Sequence, residues 1–341
     1  MMNVVIVMMY VIKFIMAGKI PYGLNDVILV TGGAGFIGSH LCRRFCEAGA
    51  DVHATSRRPQ SSENVTWWQA DLADADAARR VFAAVRPSIV FHLAGSVGAG
   101  VEMTRVLPTY HSLVTSTVNV LLLAEEFDCR RVILPGSFTE PMPGSEDPTP
   151  GSPYGAAKWA SSAYGRMFHR LYGTPVVILR PFMTYGPGQN LAKLIPSVTL
   201  SLLRGIAPKL SSGHTLADWV YISDIVEAFV IAAKTPGLEG LSLDLGTGRL
   251  TSVRTVVEEL VATIGTDLAP AFGALPDRPA ENEVAAITAP AAKHLGWHAT
   301  TSLKEGLRRT VEWYRGILTV LGPVLACSQY YLDHLERAAV C

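Results

Sequence analysis

Three glycines spaced three apart, Gly32, Gly35 and Gly38, follow directly on the apolar run Val27-Ile28-Leu29-Val30. A run of aliphatic residues without polar alternation is expected of a strand buried on both faces, as in a parallel sheet. The amphipathic stretch from Phe36 to Ala48, ending at Gly49, reads as a helix. Strand, glycine turn and helix in that order leave few folds open. Glycine lets the backbone turn tightly and approach a ligand, and a helix N-terminus offers free N–H donors and partial positive charge. Thr31-Gly32-Gly33-Ala34-Gly35-Phe36-Ile37-Gly38 is therefore expected to cradle a dinucleotide pyrophosphate, with Gly32, Gly35, Phe36, Ile37 and Gly38 in contact. A bare turn would not need this spacing between a strand and a helix.

The pattern continues with strands at Asp51 to Thr55, Ser88 to Leu93, Arg131 to Pro135 and Val176 to Leu179. Helices are expected at Asp74 to Val85, Val114 to Phe127 and Tyr154 to Leu171. Strands alternating with helices of this length predict an α/β fold, a doubly wound parallel sheet. After Pro181 the rhythm changes: Gly, Pro and Ser accumulate around a helix at Ile195 to Arg204, and helices return at Val253 to Ile264 and Leu303 to Tyr314. This divides the chain into an N-terminal extension (1–25), a cofactor-binding unit (26–181, completed by about 219–246), a smaller C-terminal cap (182–218 and 247–315) and a tail (316–341).

Lys+Arg and Asp+Glu both total 29, so no basic excess points to nucleic acid. The five cysteines, Cys42, Cys46, Cys129, Cys327 and Cys341, are odd in number and include no C-x-x-C, which argues against a disulfide framework and a zinc site. No metal is expected. Met1 to Met16 is apolar apart from Asn3 and Lys13, but shorter than the roughly 20 residues of a spanning helix. It reads as a disordered extension rather than an anchor, so a cytoplasmic protein without stable membrane insertion is expected.

Thr55-Ser56-Arg57-Arg58 closes the second strand. A carboxylate there would bind the ribose 2′-hydroxyl of NAD; two guanidiniums suit the 2′-phosphate of NADP. NADP is thus expected, with NAD the alternative and two solvated arginines the plainer account. Asp71-Leu72 is placed to cup the adenine, although Asp71 also suits a helix cap. In Ser152-Pro153-Tyr154-Gly155-Ala156-Ala157-Lys158, Ser152 suits a helix cap and Pro153 a first turn, which puts Tyr154 and Lys158 on one face. A phenol titrates near pH 10 and is a reluctant acid–base group at neutrality; a nearby ammonium is expected to pull that value down. Ser137, just beyond the strand ending at Pro135, adds a hydroxyl at the strand end where open α/β sheets bind ligands. Thr139 is a substitute for it. Ser137, Tyr154 and Lys158 are the candidate catalytic residues.

These motifs together resemble the extended short-chain dehydrogenase/reductase family of nucleotide-sugar epimerases, dehydratases and ketoreductases. The resemblance runs from about Val27 to Tyr314 and is also carried by Phe91-His92-Leu93-Ala94, Leu179-Arg180-Pro181, Tyr185-Gly186-Pro187-Gly188, the stretch from Asp218 to Asp224, and Arg278-Pro279. It implies a Rossmann domain, a cap that binds a nucleoside-diphosphate sugar, and a homodimer. It further implies cofactor contacts from Leu93, Ala94, Lys158 and Pro181, and substrate contacts from Ser137, Thr139, Tyr154, Met183, Lys193 and Arg278. The family's 4,6-dehydratases carry Thr-Asp-Glu where Ser137-Phe138-Thr139 stands, so dehydration is not expected. Met183, Ala217 and Leu113 replace residues that the family often has as Asn, Arg and Asn, which leaves Arg278, with Lys193 or Arg204, to hold the diphosphate. The expected reaction is NADPH-dependent reduction of a nucleotide-linked 4-keto-6-deoxysugar, with an NAD-retaining 4-epimerase as the alternative and a catalytically silent NADP-sensing module third.

Overall fold

The computed structural model describes residues 26–98, 100–141, 148–277 and 283–325. The expected N-terminal extension and Arg278 lie outside the described residues. Seven strands form one parallel sheet: β1 (Val27–Thr31), β2 (Asp51–Ser56), β3 (Thr66–Gln69), β4 (Ile89–His92), β5 (Arg131–Pro135), β6 (Val176–Pro181) and β10 (Ser242–Leu245). Their spatial order is β10-β6-β5-β4-β1-β2-β3. The order reverses between β1 and β4, and that switch point opens a crevice at the strands' C-terminal ends. This is the doubly wound, Rossmann-like sheet expected from the alternating pattern.

The unbroken apolar strands follow from burial on both faces. Ile28 and Val30 of β1 enter one core cluster with Phe45, Phe91 and Leu179. Leu29 enters another with Phe82, Val120 and Phe168. The first face is covered by α1 (Phe36–Glu47) and α6 (Ile222–Lys234), tied together by an Arg44–Glu227 ion pair at 2.6 Å. The second is covered by α2 (Ala75–Val85), α3 (Met103–Glu126) and α4 (Pro153–Tyr172).

The helix ends follow local chemistry. Asp74 caps α2 by accepting from the N–H groups of Asp76 and Ala77, while the Asp71 carboxylate accepts from Ala73 N–H in the preceding turn. Ser152 accepts from Gly155 N–H at 3.1 Å, Pro153 opens α4, and Gly173 closes it at φ +77°. α3 starts well before the expected Val114. Its middle, His111–Thr115, is a π-turn, and the displaced Leu113 carbonyl accepts from the hydroxyls of Thr117 (2.6 Å) and Ser161 (3.3 Å). α3 is apolar and long enough to cross a membrane by length and composition, but Val120, Leu121, Leu123 and Ala124 are buried on the sheet.

Beyond β6 the chain makes two small sheets. β7 (Met183–Tyr185) pairs in parallel with β9 (Trp219–Tyr221), and β8 (Leu216–Ala217) pairs antiparallel with β11 (Thr251–Ser252). Around them pack α5 (Leu194–Leu203), α7 (Val253–Ile264), α8 (Thr288–Leu295) and α9 (Leu303–Leu325). α9 carries the chain as helix to Leu325, into the stretch expected to be tail, because Leu307, Val311 and Tyr314 anchor its first turns in the core. Three buried carboxylates stitch the segment before α9 to the earlier fold. Asp218 accepts from Ala286 N–H, Asp244 from Ile287 N–H, and Asp224 from the N–H groups of Thr300 and Thr301.

Candidate active site

The glycine loop crosses the end of β1 into α1. Gly32 has φ +65°, and a Cβ there would lie 2.7 Å from the backbone nitrogen of Ala94. No alanine fits between β1 and β4 at this point. Gly35 is an extended N-cap without a side-chain hydrogen bond, and the first turn of α1 carries no acidic residue, so its N–H groups face the crevice free of a competing carboxylate. A Cβ on Gly38 would press into the Gly32 carbonyl oxygen. The crevice has a volume of about 190 Å³. It is lined by Gly32, Gly35, Ser56, Arg57, Asp71, Leu72, Leu93 and Ala94, as expected, and additionally by Ala34, Thr55, Ala70, Gly95, Ser112 and Ser116.

Phe36, Ile37, Gly38, Arg58, Lys158 and Pro181 do not line it. Phe36 and Ile37 pack against the core as the first residues of α1, and the exposed Arg58 turns back so that its N–H donates to Ser56 Oγ at 3.1 Å. The residues fit a dinucleotide: a free helix N-terminus, a loop without room for Cβ atoms, and a polar rim beside Asp71.

A buried histidine braces the crevice floor. His92, 2% exposed, bonds Thr31 Oγ1 through Nδ1 at 2.9 Å and Ser116 Oγ through Nε2 at 3.4 Å. Ser116 Oγ gives its proton to the Ser112 carbonyl at 2.7 Å, so Nε2 is the donor toward Ser116 and Nδ1 accepts the proton of Thr31 Oγ1, which itself accepts from Ala94 N–H at 3.0 Å. Burial holds the imidazole neutral and pushes its pKa down to about 3, with the nearby Lys158 charge adding to the shift.

Ser137, Tyr154 and Lys158 come together at the adjacent strand end. Ser137 lies beyond β5 and is 5% exposed; Tyr154 and Lys158 occupy the first turns of α4. Ser137 lies near enough to the Tyr154 phenol to lower its pKa, and its hydroxyl contacts Thr139 Oγ1 at 2.8 Å. Lys158 Nζ donates to the Pro135 carbonyl at 2.9 Å and sits 6.0 Å from the Tyr154 ring centroid.

The expectation that this ammonium acidifies the phenol is not met in the protein alone. Burial pushes Tyr154 up to about 12, partly offset by Ser137 and reinforced by Glu140. Burial also lowers Lys158 to about 8, against the pull of Glu140. With its ammonium turned to the Pro135 carbonyl, Lys158 does not offset the phenol's desolvation. The resting phenol is an acid that holds its proton.

Glu140 is a site residue that the sequence reading missed. It is 3% exposed, and its Oε1 accepts from Ser137 N–H at 2.7 Å and from Ser162 Oγ at 3.0 Å. Its one sequence signal is a carboxylate three residues beyond Ser137, which a solvated turn would show equally well.

On the substrate side, Phe138 stacks on Phe182 with centroids 5.7 Å apart, which joins the Ser137 turn to the chain entering β7. Met183, in β7, is half-buried and donates its N–H to the Asp218 carbonyl at 2.9 Å. Lys193 is an exposed residue at the N-cap of α5. Arg204 is at the opposite end of that helix, with a buried Nη1.

A crevice built to hold a dinucleotide, abutting a Ser/Tyr/Lys cluster on one sheet edge, defines a nucleotide-cofactor enzyme. The chain belongs to the NAD dependent epimerase/dehydratase family, whose model matches residues 28–243, and it is an enzyme of the extended short-chain dehydrogenase/reductase type. It is 31% identical over 312 residues to UDP-glucose 4-epimerase of Mycolicibacterium smegmatis, covering 84% of this chain and 98% of the relative. Among solved structures, UDP-glucose 4-epimerase of Thermotoga maritima with UDP-glucose aligns with a TM-score of 0.79 at 29% identity, covering 85% of this chain and 99% of that one. The Thermus thermophilus UDP-glucose 4-epimerase complex with NAD aligns with a TM-score of 0.76 at 26% identity, covering 85% and 99%. The chain is thus a nucleotide-sugar enzyme of the epimerase/dehydratase kind with a nicotinamide-type cofactor.

Proposed function

We propose that the protein is a nucleotide-sugar 4-epimerase, in place of the 4-ketoreductase expected from the sequence. The observation that carries this reading is the convergence of Ser137, Tyr154 and Lys158 at the end of β5, with Lys158 Nζ on the Pro135 carbonyl and 6.0 Å from the Tyr154 ring centroid. The 4-epimerases among its relatives support it over a reductase. Among the Ser137-Phe138-Thr139 positions there is no carboxylate to remove a C5 proton or expel a 6-hydroxyl, and Glu140 is turned inward to Ser137 and Ser162.

A bound nicotinamide cofactor would supply the acceptor and donor of the C4 hydride. Gly32, Gly35 and the open α1 N-terminus would hold its pyrophosphate, and Asp71 and Leu72, which line the same crevice, would meet its adenine. Tyr154 takes the proton from the sugar's C4 hydroxyl as the carbonyl forms, and gives it back to the same oxygen after the sugar has turned its other face. Ser137 donates to that oxygen and orients it. Lys158 holds its charge near the phenol and steadies it as the proton leaves.

The protein incubated with UDP-glucose and followed by proton NMR tests this reading. Its C4 epimer accumulates with no net change in NAD(P)H. A specific observation favours a second reading, NADPH-dependent 4-keto reduction: Arg57 lines the crevice where NAD-type sites carry a carboxylate. That reading requires stoichiometric NADPH oxidation by a 4-keto sugar nucleotide, and NADP rather than NAD released on denaturation. Neither product would overturn both.

A homodimer is part of the proposal. Met103 (87% exposed), Leu107 (65%) and Tyr110 (50%) on α3 present an apolar surface, with Tyr164 exposed on α4. Light scattering at the dimer mass supports it; a monomer at micromolar concentration overturns it.

A further inference from the structure

Glu140 is a buried carboxylate to which the reaction above gives no task. An acceptor for the Ser137 N–H does not need a full charge; Asn or Ser closes such a turn as well. A buried carboxylate carries a desolvation cost that only cations and donors around it offset. Here the fit is close: a Cβ on Gly136 would lie 2.7 Å from Glu140 Oε1 and 2.5 Å from Arg180 Cγ.

Burial raises the Glu140 pKa, and the donors Ser137 and Ser162 and then two cations, Arg180 on β6 and Lys158 on α4, oppose that rise. Arg180 has a carboxylate of its own, with Nε 2.7 Å from Asp244 Oδ1 on β10. Lys158 reaches the same spot from the other side: its Nζ is held on the Pro135 carbonyl, one residue before Gly136, whose Cβ position lies 2.7 Å from Glu140 Oε1. From β4, Lys158 faces only the neutral His92, and on its own helix the phenol of Tyr154.

We propose that Glu140 is a positioning residue for the proton transfer: it pins the Ser137 backbone through its N–H and is the counter-charge that keeps Lys158 an ammonium beside Tyr154. The activity arm of this proposal rests on the epimerase reading; the titration arm does not. Burial lowers Lys158 to about 8 and Glu140 resists that fall, while the same carboxylate raises the Tyr154 phenol. Removing the charge moves both titrations to lower pH.

Glu140→Gln keeps the length and the acceptor oxygen and removes the charge. The Lys158 ammonium is followed by NMR in protein labelled with 13C at lysine Cε, and assigned with Lys158→Met. In Glu140→Gln its titration falls below the value of about 8 in the wild type, and the pH profile of kcat with UDP-glucose shifts acidic as a whole. A folded Glu140→Gln whose Lys158 titrates with the wild type overturns the proposal. Should that variant fail to fold, Glu140→Asp keeps the charge but withdraws it by one methylene, and moves the Lys158 titration in the same direction; no movement overturns the proposal as well. If the wild type turns over no sugar nucleotide, the epimerase reading falls, and the Lys158 titration still decides this one.

Discussion

Asp218→Ala tests how the end of the chain is fastened to the sheet. Asp218 is 1% exposed and its carboxylate accepts four hydrogen bonds. Oδ1 takes the Thr247 N–H (2.8 Å) and hydroxyl (2.6 Å); Oδ2 takes the N–H groups of Gly248 (2.8 Å) and Ala286 (3.0 Å). Alanine leaves three backbone N–H groups with no acceptor. Each such loss costs about 1–3 kcal/mol, and water entering the vacated volume recovers part, so the net cost should be about 3–6 kcal/mol. Against a typical folding margin of about 5–15 kcal/mol this is a severe loss. Asparagine keeps one oxygen and faces the other donors with an amide, so about half that loss is expected. Asp277→Ala is the control: Asp277 is exposed and accepts from Ser212, through its N–H at 2.9 Å and hydroxyl at 2.8 Å, and water replaces it there. Urea unfolding followed by fluorescence compares the midpoints, and hydrogen exchange at Ala286 reports the local release. If Asp218→Ala unfolds at the same urea concentration as the control, with Ala286 still protected, the reasoning is refuted.

Tyr154→Phe should lower kcat by about 10²–10⁴-fold while leaving the melting temperature close to wild type, since it removes the proton carrier and little packing; steady-state kinetics with UDP-glucose checks this. Gly38→Ala drives a methyl into the Gly32 carbonyl and should weaken cofactor binding by at least about 10-fold, as read by calorimetry with NAD and NADP. His92 titrates at about 3 when folded and about 6.5 when unfolded, so between these values the unfolded chain binds the extra proton. Stability then falls as pH drops below about 6.5, at about 1.4 kcal/mol per unit. His92→Gln should unfold with a shallower acid dependence than the wild type, and parallel curves of stability against pH would refute the assignment.

The parts of the fold legible in the sequence are those whose causes are local. Val27 to Gly38 announces strand, loop and helix because burial on both faces, positive φ and an open helix end each demand particular residues. Ser152, Pro153 and Gly173 bound α4 for the same reason, and with it the spacing of Tyr154 and Lys158. β3 is not among the expected strands, because Thr66-Trp67-Trp68-Gln69 is a half-exposed edge strand. The first half of α3 is hidden by Pro108 and by the π-turn, whose odd hydrogen bonding is settled by hydroxyls of Ser116, Thr117 and Ser161. α8, Thr288-Ala289-Pro290-Ala291, carries a proline in its first turn and little periodicity. In the site, residue types were legible and energies were not. Nothing in Tyr-x-x-x-Lys spacing says that burial outweighs the lysine, or that Glu140 folds inward.

The three aspartates that reach across to residues 286–301 also have a consequence for synthesis. A ribosome delivers β1 through β10 before the partners of Asp218, Asp224 and Asp244 have left the exit tunnel. Until then the N–H groups of Ala286, Ile287, Thr300 and Thr301 are missing from the three carboxylates, and Asp218, Asp224 and Asp244 have only the donors made earlier. Closure of this part of the interior therefore waits for residues 286–301, the latest-made partners of the earlier sheet.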